Sequence, residues 1–396
     1  VGSLMAQIVA VVAMNIRSLP QRIWMSIATL VAVGIVVAVL LAFLALSNGF
    51  EKTLNTSGSD KIAVMLRAGS QGEMSSVLLR DQLNIMELAP GISRDANGPV
   101  VSAELYVIVD GTKRSTNTPV NLPLRGLELS GVELRENFSI VEGRMFEPGR
   151  NELVVGEAVQ TEFSGFELNK KVRLGQSEWT VVGVFSAGGS VFGSELWGDL
   201  KTVQSQFNRG SSAQLLRAKL ATPGDVSEIQ AYIENEPQLN LDVKTEVAYY
   251  AEQSKGITNV IFYLGWPLAI AMALGALAGA LNTMYNSVAQ RSMEIATLRA
   301  IGFSGVSAFI GTLVESLALA AIGGVLGSLA AYLFFDGLTT STLSGNFTQV
   351  VFDFKLSADS FISGLKLALI VGFIGGFFPA LRAARLPVVI AFKNAT

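Results

Sequence analysis

The stretch Ile23-Trp-Met-Ser-Ile-Ala-Thr-Leu-Val-Ala-Val-Gly-Ile-Val-Val-Ala-Val-Leu-Leu-Ala-Phe-Leu-Ala-Leu46 carries no charged residue from end to end. As a helix rising about 1.5 Å per residue it is long enough to cross a hydrocarbon core about 30 Å thick. Three more predominantly apolar stretches lie at residues 257–284, 306–335 and 361–381, and a long polar block, residues 48–256, separates the first from the second. The pattern predicts an α-helical membrane protein with four transmembrane helices in a one-plus-three arrangement, and a large α+β domain outside the membrane between helices 1 and 2.

Composition agrees: half of the 396 residues are hydrophobic, 15% are charged, and the mean hydropathy is +0.46, values typical of an integral membrane protein. Residues 23–46 are too long for a signal-peptide core, and no small-residue cleavage site precedes Ser47-Asn48-Gly49, so the stretch reads as a retained anchor. A net charge of -3 leaves no basic footprint for nucleic acid. Cysteine is absent, which excludes disulfides and thiol chemistry, and histidine is absent, which removes the usual general base, zinc ligand and pH switch.

Basic residues near membrane ends stay in the cytoplasm. Arg17 and Arg22 precede the first stretch, Arg291 and Arg299 follow the second, and Arg382, Arg385 and Lys393 follow the fourth, with Glu294 the one acid among them. The connection between the third and fourth carries Asp336, Asp353 and Asp359 against Lys355. Both termini are therefore expected in the cytoplasm and the polar block on the far side. Leu4, Ile8, Val11, Val12 and Asn15 recur at helical spacing before Pro20, which predicts an interfacial helix over residues 1–22, the alternative being an extension of the first span. The expected divisions are then 23–47 for the first transmembrane helix, 48–256 for the outer domain with its stalk ends, and 257–396 for the last three helices.

Inside the outer domain, residues 61–66 and 100–109 read as strands with a helix at 76–88 between them. Residues 213–220, 224–236 and 241–245 repeat the strand, helix, strand order. Two such units predict a ferredoxin-like half. Residues 151–156 and 171–185 predict a small, mostly β insertion between them. In the membrane half, Gly323 with Gly327 and Gly372 with Gly376 have the four-residue spacing of close helix packing.

The chain has no G-x-x-x-x-G-K-[ST] run, so any ATP and magnesium must be held by a partner. A serine–histidine dyad is impossible, no aspartate pair lies in the apolar stretches, and the outer carboxylates show no clustered pair with a positioned partner. No catalytic residue, cofactor site or metal site is expected. Glu315 is the ionisable residue deep in a span, with two readings: a structural hydrogen bond to Ser, Thr or backbone of a neighbouring helix, or a role in gating or proton movement.

The segment Arg291-Ser-Met-Glu-Ile-Ala-Thr-Leu-Arg-Ala-Ile-Gly-Phe303 resembles the cytoplasmic signature of MacB/FtsX-type ABC permeases. Glu315-Ser316, Gly323-Gly324-x-x-Gly327 and the closing Gly375-Gly376-Phe377-Phe378-Pro379-Ala380-Leu381-Arg382-Ala383-Ala384-Arg385 match that pattern in order. Glu142-Gly143-Arg144-Met145-Phe146, Val154-Val155-Gly156-Glu157 and Trp179-Thr180-Val181-Val182-Gly183-Val184-Phe185 are similar to the family's periplasmic core.

The resemblance implies a MacB-like outer domain, an FtsX-like permease domain and a place in the inner membrane. It implies that residues 292–300 are a coupling helix for a separate ABC ATPase, with Met293, Ala296, Leu298 and Ile301 as apolar contacts and Arg291, Glu294 and Arg299 as polar rim. The expected assembly is two permease copies, identical or related, with two ATPases, working by mechanotransmission. A periplasmic membrane-fusion protein and an outer-membrane channel are further partners the resemblance admits. Two alternatives are an FtsX-like signalling permease acting on a cell-wall hydrolase, and a membrane-anchored binding protein without an ATPase. Single cysteines at Ser190 and Ser304 test the topology: an impermeant thiol reagent on intact cells labels the first and spares the second, and the reverse pattern inverts the orientation.

Overall fold

The computed structural model describes residues 3–96, 98–343 and 348–386; Lys393 lies outside them. The chain divides into two compact units, one of residues 1–48, 260–338 and 354–396, the other of residues 49–259 and 339–353. Among the described residues, four helices are long and apolar enough to cross a membrane.

The helical unit starts with Leu4–Ser18, capped by Ser3, whose Oγ accepts from the Ala6 N–H at 3.4 Å. Pro20 cannot donate to a continuing helix, and the chain passes through a 3-10 turn, Leu19–Arg22, into the first long helix, Ile23–Thr56. The second long helix is Glu246–Gln290, followed by a short helix, Ser292–Ala300. The third is Gly305–Phe335 and the fourth Ala358–Arg385, with Ser304 and Ser357 as their N-caps, each hydroxyl accepting a backbone N–H at 3.2 Å.

Lipid gives helices no hydrophobic reason to associate, so contact depends on how closely backbones approach. A Cβ placed on Gly327 would stand 2.2 Å from the Gly34 carbonyl oxygen, and one on Gly323 2.9 Å from that of Leu30. Gly372 and Gly376 play the same part against Ala320 and Ser316, and the Ser316 hydroxyl donates to the Gly372 carbonyl at 2.7 Å. Around these contacts Val33, Val37, Leu41, Ala276, Ala368 and Val371 are buried.

In the second unit the strands are β1 (Ile62–Arg67), β2 (Arg94–Asp95), β3 (Gly98–Pro99), β4 (Val101–Lys113), β5 (Pro119–Leu127), β6 (Ser139–Gly143), β7 (Glu152–Gly156), β8 (Phe163–Ser164), β9 (Lys171–Leu174), β10 (Ser177–Ser186), β11 (Leu196–Asp199), β12 (Leu215–Lys219), β13 (Leu241–Thr245), β14 (Thr339–Leu343) and β15 (Gln349–Asp353). The order β13-β1-β12-β4 is antiparallel throughout and interleaves two strand-helix-strand units, with helices Arg80–Met86 and Val226–Asn235. That is the ferredoxin-like half. Met65, Met86, Leu216, Ile229, Ile233 and Val243 fill its core.

The middle portion is joined to this half by backbone pairing. β4 pairs with β12 through residues 101–104 and then with β5 through residues 105–112, so one sheet continues as β5-β11-β7-β10-β6. Trp179, Phe163, Phe166, Leu124 and Val155 form the core there. The helix expected at 76–88 is shorter, because the Ser76 hydroxyl accepts from the Arg67 N–H and Leu78 bridges Ala213, which hold residues 76–78 extended. The connection between the third and fourth long helices contains the hairpin β14–β15, which belongs to the sheet unit: the Val351 N–H donates to the Ser194 hydroxyl at 2.9 Å. Ser190 is buried, so exposed Ser115 replaces it as the labelling site.

Gly327→Leu is expected to destabilise the helical unit by about 1–3 kcal/mol through overpacking. Gly275→Ala, where nothing stands within 4 Å of the added carbon, is expected to leave unfolding unchanged. Denaturant titration of both variants in the same lipid or detergent decides the matter.

Candidate functional site

The second long helix stops at Gln290, and Arg291, with φ -97° and ψ 8°, turns the chain into Ser292–Ala300. Gly302 (φ +102°) ends that turn in a conformation that favours glycine, and Ser304 starts the third long helix. The break therefore places Arg291 at a corner. Its Nη1 lies 3.3 Å from Glu315, its Nη2 donates to the Asn15 Oδ1 at 2.5 Å, and its Nε donates to Glu294 at 2.9 Å.

Arg22 reaches the other Glu315 oxygen at 3.3 Å and also donates to the hydroxyls of Ser287 and Ser18. One carboxylate thus gathers the amino-terminal helix, the turn after it, the end of the second long helix and the third. Glu315 stands about 15 Å along its helix from Gly305, at the end where both arginines lie. Its principal partners are the guanidinium groups of Arg22 and Arg291, with the Ser287 hydroxyl at 3.5 Å a further one.

The residues expected to face an ATPase divide. Met293 and Glu294 are exposed, Leu298 and Arg299 half-buried, and Ala296 is fully buried, while Ile295 beside it packs with Val288, Ala308 and Ala383. Arg291 is buried too, so Ala296 and Arg291 belong to the chain's own interior and offer no contact surface or rim. The Arg299 Nη1 donates to the carbonyls of Ala384 and Leu386, at 3.1 and 2.7 Å. The apolar face left open is Met293 and Ile301, with Thr297 and Ala300 beside them. Gly323, Gly327, Gly372 and Gly376 lie in helix contacts away from this corner.

A second polar constellation, in the sheet unit, overturns the expectation that the outer carboxylates lack partners. Tyr106 on β4, Arg125 on β5 and Trp197 on β11 are register neighbours, so their side chains share one face. Glu104, two residues before Tyr106, joins that face. Glu195 grips Arg125 with both oxygens, at 2.7 and 2.6 Å, and takes the Trp197 indole N–H at 2.8 Å. Glu104 binds Arg125 at 2.9 Å, Arg135 at 2.7 Å and Arg217 at 3.2 Å.

Arg217 also pairs with Glu246, the first residue of the second long helix, and donates to the Tyr250 hydroxyl one turn on, at 3.1 Å. The remaining Glu246 oxygen accepts from the Ser59 N–H at 3.1 Å, just past the end of the first long helix. Burial pushes the Glu104 carboxyl up, but Arg135, Arg217 and Arg125 outweigh it and hold its pKa at about 2. Among the described residues no group of three or more His, Cys, Asp or Glu is placed to hold a metal. The arrangement binds structural elements together through ions.

Known proteins match in two places. The profile of the MacB-like periplasmic core domain fits residues 26–236, and that of the FtsX-like permease C-terminal domain fits residues 267–388. The macrolide export ATP-binding/permease protein MacB of Azoarcus sp. (strain BH72) is 24% identical over 417 aligned residues, covering 99% of this chain and 60% of that protein. The pyoverdine export ATP-binding/permease protein PvdT of Pseudomonas entomophila (strain L48) is 24% identical over 277, covering 65% of this chain and 41% of that protein. Among solved structures, the periplasmic region of MacB from Actinobacillus actinomycetemcomitans superposes with a TM-score of 0.37 at 15% identity, over 53% of this chain and 96% of that one. The chain spans about 60% of the length of the MacB relatives it matches.

Removing one partner of a buried ion pair leaves an uncompensated charge and costs about 3–5 kcal/mol. Glu315→Leu, which strands Arg22 and Arg291 together, is expected to destabilise the helical unit by that order. Adding Arg22→Leu and Arg291→Leu is expected to recover most of the loss, as measured by unfolding in detergent.

Proposed function

The chain belongs to the permease family that joins a MacB-like periplasmic core domain to an FtsX-like permease domain, and on that premise we propose that it is the transmembrane subunit of an ABC transporter working by mechanotransmission. No P-loop lies in these 396 residues, so the ATPase acting on them is contributed from outside them, and we take it to be a separate subunit. Two permease copies with two ATPases make the working assembly. ATP and magnesium are held by the ATPase.

The observation that carries this reading is the corner at residues 290–304. An exposed apolar pair, Met293 and Ile301, with Glu294 beside it, has the anatomy of a modest transient interface. It stands at the end of helix Glu246–Gln290, which contains Pro267 and directly follows β13. A partner that moves the corner pulls on that helix, and through Arg291 on Glu315 and the amino-terminal helix as well. In this proposal the termini and the corner are cytoplasmic, the sheet unit is outside, and substrate is handled on the outer side, as the export names of the relatives suggest.

Met293→Asp with Ile301→Asp places two charges in the open face. Losing a central contact typically costs about 2 kcal/mol or more, so the pair is expected to weaken ATPase association at least tenfold, with membrane insertion unchanged. Unaltered co-purification and ATPase stimulation would remove the corner as docking site. If the ATPase binds normally and loss of this chain reproduces loss of an extracytoplasmic hydrolase, the FtsX-like signalling reading replaces transport.

A further inference from the structure

The ion constellation of the sheet unit does not balance. Three guanidiniums, Arg125, Arg135 and Arg217, face four carboxylates, Glu73, Glu104, Glu195 and Glu246, and all seven side chains are 5% exposed or less. Guanidinium keeps its charge in proteins, so four ionised carboxylates would leave one net negative charge buried and uncompensated, which is strongly unfavourable.

The four are not equally compensated. Glu104 touches all three arginines, and Glu195 has a two-pronged arginine and an indole N–H. Glu246 has Arg217, a backbone N–H and the positive end of its own helix. Glu73 has one close contact, Arg125 at 3.0 Å, its other oxygen being 3.9 Å from Arg217. Like charges of Glu195 and Glu104 face it from the neighbouring strands, Tyr106 from β4, and Tyr249 and Tyr250 from the second long helix. Burial raises the Glu73 carboxyl, and the two arginines do not offset it. A space of about 30 Å³ beside Glu73, lined by Tyr106, Arg125 and Glu195 as well, is large enough for one water.

We propose that the constellation binds one proton, carried by Glu73, and that this proton latches residues 68–79 over it. Glu73 is the ionisable group that this connection, from β1 to helix Arg80–Met86, sends into the cluster. A raised carboxyl contributes stability that is complete below its unfolded pKa and is lost as pH rises through its folded pKa. The latch is therefore closed in acid and loosens towards alkaline pH, which makes the outer face of the protein sensitive to the acidity around it.

Hydrogen–deuterium exchange of the full chain in lipid nanodiscs, corrected for the intrinsic rate at each pH, reads the latch directly. The parent is expected to lose protection in residues 68–79 as pH is raised above the ordinary carboxylate range. Glu73→Gln, which is neutral at every pH, is expected to keep that protection throughout. Parent protection that does not change with pH, or that falls in acid, overturns the proposal, as does Glu73→Gln losing protection alongside the parent. If Glu73→Gln fails to fold, Glu73→Met takes its place, and should neither fold, neutral Glu73 is wrong and the proposal falls.

Discussion

An arginine without water must have carboxylates around it, and the sheet unit is organised by that demand. Arg217 on β12 touches Glu104 on β4 and Glu246 at the start of the second long helix, while Arg125 on β5 ties Glu104 to Glu195 beside β11. Strands far apart in sequence and a helix end are thereby fixed to one set of charges. Phe192 packs over the guanidinium groups of Arg125, Arg135 and Arg217 at 5.9, 4.9 and 5.1 Å and covers much of the face. The pairing gains strength from the exclusion of water, and exclusion is tolerable because the pairing is there.

The helical unit solves the same problem with fewer ions. Arg22 and Arg291 flank apolar stretches and look like topology-setting charges, yet both turn inward to Glu315. Beyond that corner the helices meet through backbone, glycine against glycine, where packing depends on the absence of side chains. Polar grip at one end and small-residue contact along the rest are different means of holding helices that lipid alone does not drive together.

Function follows from which groups remain outside these networks. The short helix after Arg291 turns Ile295 and Ala296 into the chain's own core and leaves Met293 and Ile301 exposed, with Glu294 beside them held by Arg291. A docking surface in the proposed transporter is thus narrower than the family motif suggests. Motif residues that look like contacts instead hold the corner rigid, which a surface passing on displacement needs as much as it needs contact area.

What the sequence determined is what a local pattern can encode. Runs of apolar residues fixed four long helices and the polar block between the first two, and the strand-helix-strand rhythm of residues 61–109 and 213–245 announced the ferredoxin-like half. Tertiary structure decided the rest, because compensation is not local. On β4, Ser102, Glu104 and Tyr106 alternate with Ala103, Leu105 and Val107, which reads as a wet face and a dry one. Both faces are buried, since Arg125, Arg135 and Arg217 arrive from elsewhere to meet Glu104. The hairpin of β14 and β15 is tied to the sheet unit in the same non-local way, by the Val351 N–H donating to the Ser194 hydroxyl 157 positions away. A single chain read in order shows which residues carry charge, and only the folded arrangement shows which charges have each other.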